Sequence, residues 1–272
     1  MKSRTAGRPC FTDRTLYQSQ SLGLGSDANV RSTGPVFLRW SGTEWREERL
    51  RSATRIIDLS HEVHDGLVTY PGLPSPRVTA FQDHDDQPDL YAVGTTFHIG
   101  HIELVGNTGT YVDVPYHRFR EGEDLALVSL DRLVDLEGVV VRHDPSKGNR
   151  IGIGDLSGLN VRDRAVLIHT GWSSRWGTEE YFADHFWLSE DAASWLVSEG
   201  ATLVGIDSLN IDDRGNPRRP VHTSLLAAGI PIVEHLVGLD ELPDRGFRLF
   251  VAPIRIRGMG SFPVRAFAIV GG

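Results

Sequence analysis

The sequence has 272 residues, of which 40% are hydrophobic and 24% are charged, so it suits one large globular domain or two small ones. Its formal net charge of -8 argues against a general nucleic-acid binder, and no apolar run approaches the roughly 20 residues that cross a bilayer. The single cysteine, Cys10, excludes an internal disulfide and a cysteine-rich metal site. The N-terminus lacks an apolar signal core, so we expect a cytoplasmic protein.

Residues 1–53 are predicted to form an N-terminal extension, which is partly flexible or acts as a docking arm. Residues 21–32 are rich in Gly, Ser, Asn and Asp and show little periodicity, which is typical of flexible chain. The apolar run 36–40 predicts a short strand or an arm docked on a partner subunit, and the charged residues 45–51 suggest a helical turn. We expect one folded domain over residues 54–272.

The first folded segment combines a strand signal with polar residues. Ile56 and Ile57 come directly before a polar cluster that ends at His61, so we expect a strand that ends at a functional rim. Tyr70 precedes a Pro-Gly turn, where it either lines a ligand pocket or is simply a rim aromatic.

Polar side chains recur at alternate positions of the segment 106–117, namely at Asn107, Tyr111, Asp113 and His117. An extended chain places alternate side chains on one face, and the proline within this segment favours extension. Four polar groups that face one space predict a functional site. The alternative is a solvent-facing edge strand, but Tyr, Asp and His combined with Gly and Pro favour the site.

Strands and helices are predicted to alternate over the middle of the chain. Strands are expected in four alternating or apolar segments, at residues 95–105, 138–141, 165–168 and 201–206. A helix is expected between the N-cap Ser189 and Gly200, and a shorter one over 130–136. Six aromatic residues crowd the loop that begins at Trp172, where they form either a hydrophobic lid over a flat substrate or a subunit contact.

A short helix over residues 223–228 and a strand over 232–234 follow. His222 lies at the start of this helix, and Glu234 lies at the end of this strand. Taken alone, His222 would cap the helix and Glu234 would pair with an arginine. Taken together with the polar segment 106–117, they favour a shared site.

Two motifs resemble the signature of the metal-dependent cyclase and kynurenine formamidase family. The first family motif reads His-x-Gly-Thr-His-x-Asp-x-Pro-x-His. It is matched at Gly109, Thr110, Asp113, Pro115 and His117. Asn107 and Tyr111 stand where the family has its two histidines. His222 and Glu234 are similar to a second family pattern, in which a His-x-x-Leu-Leu helix precedes a glycine and a glutamate-bearing strand.

The resemblance covers residues 56–269 and implies a compact α/β domain of the β/β/α, swivelling type, with a mixed sheet. It also implies that Asp113, His222 and Glu234 are metal ligands. His117 matches the histidine that serves in the family as general base and then as general acid. A homo-oligomer is implied as well, because family members are oligomers.

One imidazole and two carboxylates suit a single divalent Zn or Mn ion with an open position for water. Asn and Tyr replace imidazole poorly, so two equally strong metal sites are not expected. We therefore predict a metal-dependent hydrolase of a linear or cyclic amide in a small aromatic substrate, bound by Tyr70, Asn107 and Trp172. Two alternatives are a metal-free acid–base cyclase, in which Tyr111 donates to an oxyanion, and a non-catalytic ligand-binding protein.

Overall fold

The structure is a computed structural model that describes residues 54–86 and 90–271 and, as backbone strands only, Val36–Trp40 and Trp45–Arg49. In this part of the chain there are three α-helices. They are α1 (Ile153–Leu156), α2 (Glu190–Glu199) and α3 (Pro220–Ala227). None of these described helices is long and apolar enough to cross a membrane.

The chain divides into two compact units, residues 1–50 and 51–272. The first unit contains β1 (Val36–Trp40) and β2 (Trp45–Arg49), which pair antiparallel. The strand expected in β1 is confirmed, whereas the helical turn expected in β2 is wrong because its backbone pairs with β1. The segment predicted to be flexible, residues 21–32, lies outside the described residues.

The described residues of the second unit form thirteen further strands. They are β3 (Arg55–Asp58), β4 (Arg77–Gln82), β5 (Ile99–Glu103), β6 (Tyr111–Asp113), β7 (Leu136–Arg142), β8 (Arg150–Ile151), β9 (Ala165–His169), β10 (Trp187–Leu188), β11 (Leu203–Ile206), β12 (Ile232–Glu234), β13 (Arg245–Phe250), β14 (Ser261–Pro263) and β15 (Phe267–Val270). The helix expected over residues 130–136 is only a 3-10 turn at Leu130–Arg132, because the chain enters β7 at Leu136.

Nine of these strands form one mixed sheet, in the order β14-β6-β12-β11-β9-β7-β13-β15-β3. The central strands β12, β11, β9 and β7 run parallel, and the outer pairs are antiparallel. All four residues of β11 are buried, as expected for a parallel strand covered on both faces. The predicted α/β fold with a mixed sheet is confirmed.

Two hydrophobic clusters cover the opposite faces of the sheet. Val204 and Ile206 of β11 belong to the cluster that includes the helices, whereas Leu203 belongs to the other cluster. This division follows from the alternation of side chains along a strand. Helix α2 begins after the N-cap Ser189 and is followed by the left-handed Gly200 at φ 79°, both as predicted.

The short strand β6 has a neighbour on each side, and this pairing decides which residues meet. Opposite Tyr111 lies Glu234 of β12, and opposite Asp113 lies Ser261 of β14. Helix α3 connects to β12 and carries His222 in its first turn. Three elements that are distant in sequence therefore bring polar residues to the same part of the sheet.

Candidate active site

Tyr111 and Asp113 lie on one face of β6, as their alternation predicts. His117 reaches the same place at the end of a 3-10 turn, and Asn107 lies in a bend before the strand. Between them Gly109 has a φ of 63°, a left-handed conformation that favours glycine. The prediction of one extended face that runs from Asn107 to His117 is therefore wrong, because only Tyr111 and Asp113 lie on a strand. The side chains of Asn107 and His117 nevertheless come within 3.5 Å of the Asp113 carboxylate.

His222 is buried among three carboxylates. Its Nδ1 lies 2.6 Å from Asp212 Oδ2, and Asp212 also accepts the backbone N–H groups of Val221 and His222. Its Nε2 lies 3.6 Å from Asp113 Oδ2 and 3.6 Å from Glu234 Oε1. Burial alone would lower the pKa of His222, but the nearby carboxylates of Asp113, Asp212 and Glu234 raise it to about 10.

Asp113 is fully buried, and its two carboxylate oxygens differ. Oδ1 accepts a short hydrogen bond from Ser261 Oγ and a longer one, 3.5 Å, from Asn107 Nδ2. Oδ2 has no hydrogen-bond partner. Burial works to raise the pKa of Asp113, but the neighbouring His117 and His222 lower it below its usual value. Asp113 therefore stays an anion with one free oxygen.

Glu234 accepts hydrogen bonds from three donors, of which the longest, 3.5 Å, runs from Asn210 Nδ2 to Oε2. Its Oε1 accepts the backbone N–H of Ile211 at 2.7 Å, and its Oε2 accepts the Tyr111 hydroxyl at 2.5 Å. Burial raises the pKa of Glu234 to about 7, and burial together with Glu234 and Asp113 raises the pKa of Tyr111 well above its usual range. Tyr111 therefore keeps its hydrogen and donates it to Glu234.

Ser261 links Asp113 to His117, because its Oγ contacts Asp113 Oδ1 and lies 2.8 Å from His117 Nδ1. A hydroxyl has one hydrogen and a carboxylate only accepts, so Ser261 donates to Asp113 and accepts from the Nδ1–H of His117. His117 Nε2 then carries the lone pair that a general base needs. Sequence reasoning missed Ser261, since 148 residues separate it from Asp113 and only strand pairing joins them.

The side chains fit a metal ion. Asp113, His117 and His222 each offer a ligand atom, and these atoms lie within 4.8 Å of one another. Asp113 Oδ2 is an unpartnered buried anion, and the two 3.6 Å separations from His222 resemble the roughly 3.3 Å between neighbouring ligands of tetrahedral zinc. Glu234 lies outside the 4.8 Å group but close to His222, and its bonded oxygens retain lone pairs.

The predicted substrate-binding residues do not all come together. Asn107 contacts Asp113. Trp172 is buried in the core, where its Nε1 donates to the carbonyl of Tyr181 at 3.0 Å. Tyr70 is half-buried under the guanidinium of Arg214, 5.2 Å from the ring centre. Within the described part of the chain, the contacts of these two rings do not include the carboxylates of Asp113, Asp212 and Glu234.

A second group of rings, the aromatic cluster of His61, Trp176, Tyr181 and His235, lies beside Tyr111. His61 stacks on Trp176 at 4.0 Å, and the ring of His235 lies 5.2 Å from that of Tyr111. Burial lowers the pKa of His61 to about 4 and that of His235 to about 3. Sequence reasoning did not assign His235; its position directly after Glu234 was the available signal.

Comparison with known proteins identifies the family. The family described as putative cyclase matches residues 57–213, more than half of the chain. The kynurenine formamidase of Erythrobacter litoralis (strain HTCC2594) is 26% identical over 214 residues, which cover 79% of this chain and 91% of that protein.

Solved structures agree with this assignment. Isatin hydrolase A of Labrenzia aggregata superposes with a TM-score of 0.70 at 22% identity, covering 80% of this chain and 94% of that one, and so shares the fold. A potential metal-dependent hydrolase with cyclase activity is 25% identical with a TM-score of 0.64, over 81% of this chain and 100% of that one. The predicted resemblance and the prediction of an enzyme are confirmed, and the chain belongs to the putative cyclase family.

Proposed function

We propose that this protein hydrolyses the amide bond of a small, linear or cyclic aryl amide with the help of one divalent ion, Zn or Mn. Asp113, His222 and Glu234 would hold the ion. The observation that carries the proposal is the buried, unpartnered Oδ2 of Asp113, which faces His222 Nε2 at 3.6 Å. The similarity to kynurenine formamidases supports the amide as substrate.

The donors around the site are arranged to keep these ligands in place. Asp212 fixes the His222 ring through Nδ1, which leaves Nε2 directed at the two carboxylates. Tyr111 and the backbone of Ile211 hold the two oxygens of Glu234. When bound, an ion of this kind makes a water molecule more acidic and polarises a carbonyl group.

His117 is the proposed proton carrier. Its Nε2 takes a proton from the attacking water as the new C–O bond forms. The same atom returns the proton to the leaving nitrogen as the C–N bond breaks, so the ring ends each cycle as it began. The His117 side chain is 34% exposed, whereas Asp113 is fully buried, so a substrate can reach this imidazole.

A second candidate is acid–base catalysis without a metal. It is favoured by the position of His222, whose ring lies within 3.6 Å of Asp113, Asp212 and Glu234 and can serve as the internal cation. In that case Tyr111 does not serve as a free donor to an oxyanion, because its hydrogen is bonded to Glu234. Metal content separates the two candidates.

The test is turnover of N-formylkynurenine and of isatin by protein purified without chelator. We expect hydrolysis of at least one amide and about one Zn or Mn per chain. The variant His117→Ala should lose about 10²–10⁴-fold in kcat. The control His101→Ala removes an exposed histidine of β5 and should match the wild type. Equal activity of wild type and His117→Ala would refute the role of His117, and inactivity of both on every amide would favour a binding protein.

Substrate contacts by Tyr70 and Trp172 remain predictions, as do the homo-oligomer and the cytoplasmic location. Of the two rings, Tyr70 is the better candidate for a substrate contact, because it is half-buried and not enclosed in the core.

A further inference from the structure

Buried polar atoms without a partner are concentrated next to the proposed site. Among the described residues four such side-chain atoms occur: His61 Nε2, Asp113 Oδ2, His143 Nδ1 and His235 Nε2. His143 lies apart, 3.4 Å from Asp155. The other three belong to the surroundings of Tyr111, which is two residues from Asp113 and contacts the ring of His235. Since buried polar groups are normally bonded, such a group of unpartnered atoms indicates a place for a ligand.

The hydrogen bonding of Tyr181 decides the tautomer of His235. The buried hydroxyl of Tyr181 lies 2.8 Å from His235 Nδ1, its hydrogen-bond partner among the described residues. If Nδ1 carried the hydrogen, both the Tyr181 hydrogen and the lone pair of Nε2 would lack a partner. If Tyr181 donates to Nδ1, only the Nε2–H of His235 lacks one, so this arrangement is favoured.

His235 therefore has a buried Nε2–H that has no acceptor in the described protein. Its backbone adopts a φ of 58°, which a non-glycine residue maintains only when its surroundings hold it. Thr110 does so, since its hydroxyl donates to the His235 carbonyl at 2.6 Å. Thr110 directly precedes Tyr111 in the chain, so the segment that carries Asp113 also fixes the position of this N–H.

We propose that His235 is a further catalytic residue, whose Nε2–H donates a hydrogen bond to the carbonyl oxygen of the amide substrate. This inference rests on the proposed function. An N–H donor stabilises a carbonyl oxygen more strongly as that oxygen gains negative charge in the transition state. Tyr111 cannot fill this role while it donates its hydrogen to Glu234.

The aromatic cluster also indicates the class of group that accompanies this carbonyl. Trp176 is half-buried and contacts both imidazoles, His61 by stacking at 4.0 Å and His235 edge-on at 5.5 Å. Flat rings of this kind bind planar groups by stacking and edge contacts. The ligand would thus be an amide whose carbonyl is attached to, or lies close to, an aromatic ring.

The kinetic test compares three variants with the wild type. His235→Phe removes the donor, and we expect kcat to fall by about 10²–10³-fold while KM changes little. His235→Gln offers an amide N–H in its place and should recover part of this loss. His143→Phe, which removes a buried histidine outside the site, should leave kcat unchanged. A kcat of His235→Phe equal to that of the wild type would overturn the proposal.

An NMR measurement on the wild type does not depend on turnover or on variants that fold. Nitrogen-15 spectra of the histidines should show His235 as the neutral Nε2–H tautomer, and formanilide should shift its ring N–H resonance. Finding the hydrogen on Nδ1, or no shift at saturating formanilide, would overturn the inference. A shift in a protein that hydrolyses no amide would refute the proposed function and retain His235 as a carbonyl-binding residue.

Discussion

His222 and His235 are both buried, yet their surroundings shift their pKa values in opposite directions. His222 is 6% exposed and has a pKa raised to about 10, whereas His235 is fully buried and has a pKa lowered to about 3. Burial works to lower the pKa of both rings. The difference is that His222 contacts carboxylates, whereas His235 receives a hydrogen bond from Tyr181 among other rings. The neighbours of a buried imidazole therefore decide whether it is a cation, a ligand or a neutral donor.

These two environments meet at adjacent residues of one strand end. Glu234 is bonded to Tyr111 and Ile211, and the next residue, His235, is bonded to Tyr181. The left-handed backbone of His235 follows immediately after β12 and allows the two neighbours to face different surroundings. The site thus combines an anionic centre that suits a cation with an uncharged side that suits a carbonyl group.

The largest expected effect comes from removing the carboxylate of Asp113. In Asp113→Ala, the proposed ion loses the unpartnered Oδ2, and His117 loses the carboxylate with which it is linked through Ser261. We expect loss of bound metal and a fall in kcat/KM of at least about 10³-fold. Elemental analysis by plasma mass spectrometry and the amide assay measure these effects.

Asp124→Ala is the matched control for this prediction. Asp124 is also buried, but it accepts backbone N–H groups of Ala126, Leu127 and Gly258. This control should lose stability and keep its metal. Equal metal content in both variants would mean that Asp113 is not a ligand.

The next largest effect concerns the orientation of His222. Asp212→Asn replaces the carboxylate that lies 2.6 Å from His222 Nδ1 and leaves the other carboxylates in place. Because outer carboxylates typically contribute 10–100-fold to metal affinity, we expect a loss of about this size in a competition titration with a chelating dye. An unchanged affinity would show that Asp113 and Glu234 alone orient the ring.

Local sequence patterns predicted the elements that carry Asp113, His222 and Glu234. The apolar strands β9, β11 and β12, the N-cap of α2, and the positions of His222 and Glu234 all follow from signals within a few residues. The alternation of Tyr111 and Asp113 was also correct, because β6 is a true strand over these positions. Beyond Asp113 the period-2 argument failed, since the proline begins a 3-10 turn.

The hydrogen-bond partners of the site residues could not be predicted, because they depend on tertiary contacts. Ser261 meets Asp113 only through the pairing of β14 with β6. Tyr181 and His235 are 54 residues apart and meet through side-chain packing. Trp172 was predicted to contact the substrate. The structure buries its ring in the core, where its Nε1 donates to the carbonyl of Tyr181, and the substrate contact stays a prediction. In a single sequence, an aromatic residue of the core and an aromatic residue that contacts a substrate give the same pattern.

Removing His235 should also have a smaller effect on the pH dependence of the free energy of unfolding. The pKa of His235 is about 3 in the folded state against an unfolded value of 6.5, so the unfolded state binds more protons between these values. This contribution to stability is present above pH 6.5 and is lost as the pH falls towards 3. In His235→Phe the slope of the free energy of unfolding against pH should decrease by up to about 1.4 kcal/mol per pH unit between these pKa values.

Urea unfolding at several pH values between about 6.5 and 4 measures this slope. His61 contributes in the same direction, with a pKa of about 4, so part of the acid sensitivity should persist in the variant. Parallel curves for wild type and His235→Phe would show that His235 is protonated in the folded protein, contrary to its assignment as a neutral donor.

The smallest expected effect sharpens the role of His117. Ser261→Ala removes the hydroxyl that accepts from His117 Nδ1 at 2.8 Å, so the ring loses the bond that keeps Nε2 free. One lost hydrogen bond of this kind corresponds to about a tenfold decrease in kcat. Ser261→Thr keeps a hydroxyl and should retain most of the activity. Ser208→Ala removes another buried serine hydroxyl, bonded to the carbonyl of Phe186, and should not alter kcat. Nitrogen-15 spectra report the tautomer of His117 directly. A mixture of tautomers in Ser261→Ala, against a single tautomer in the wild type, would establish Ser261 as a positioning residue. The same single tautomer in both proteins would show that Asp113 alone orients the His117 ring.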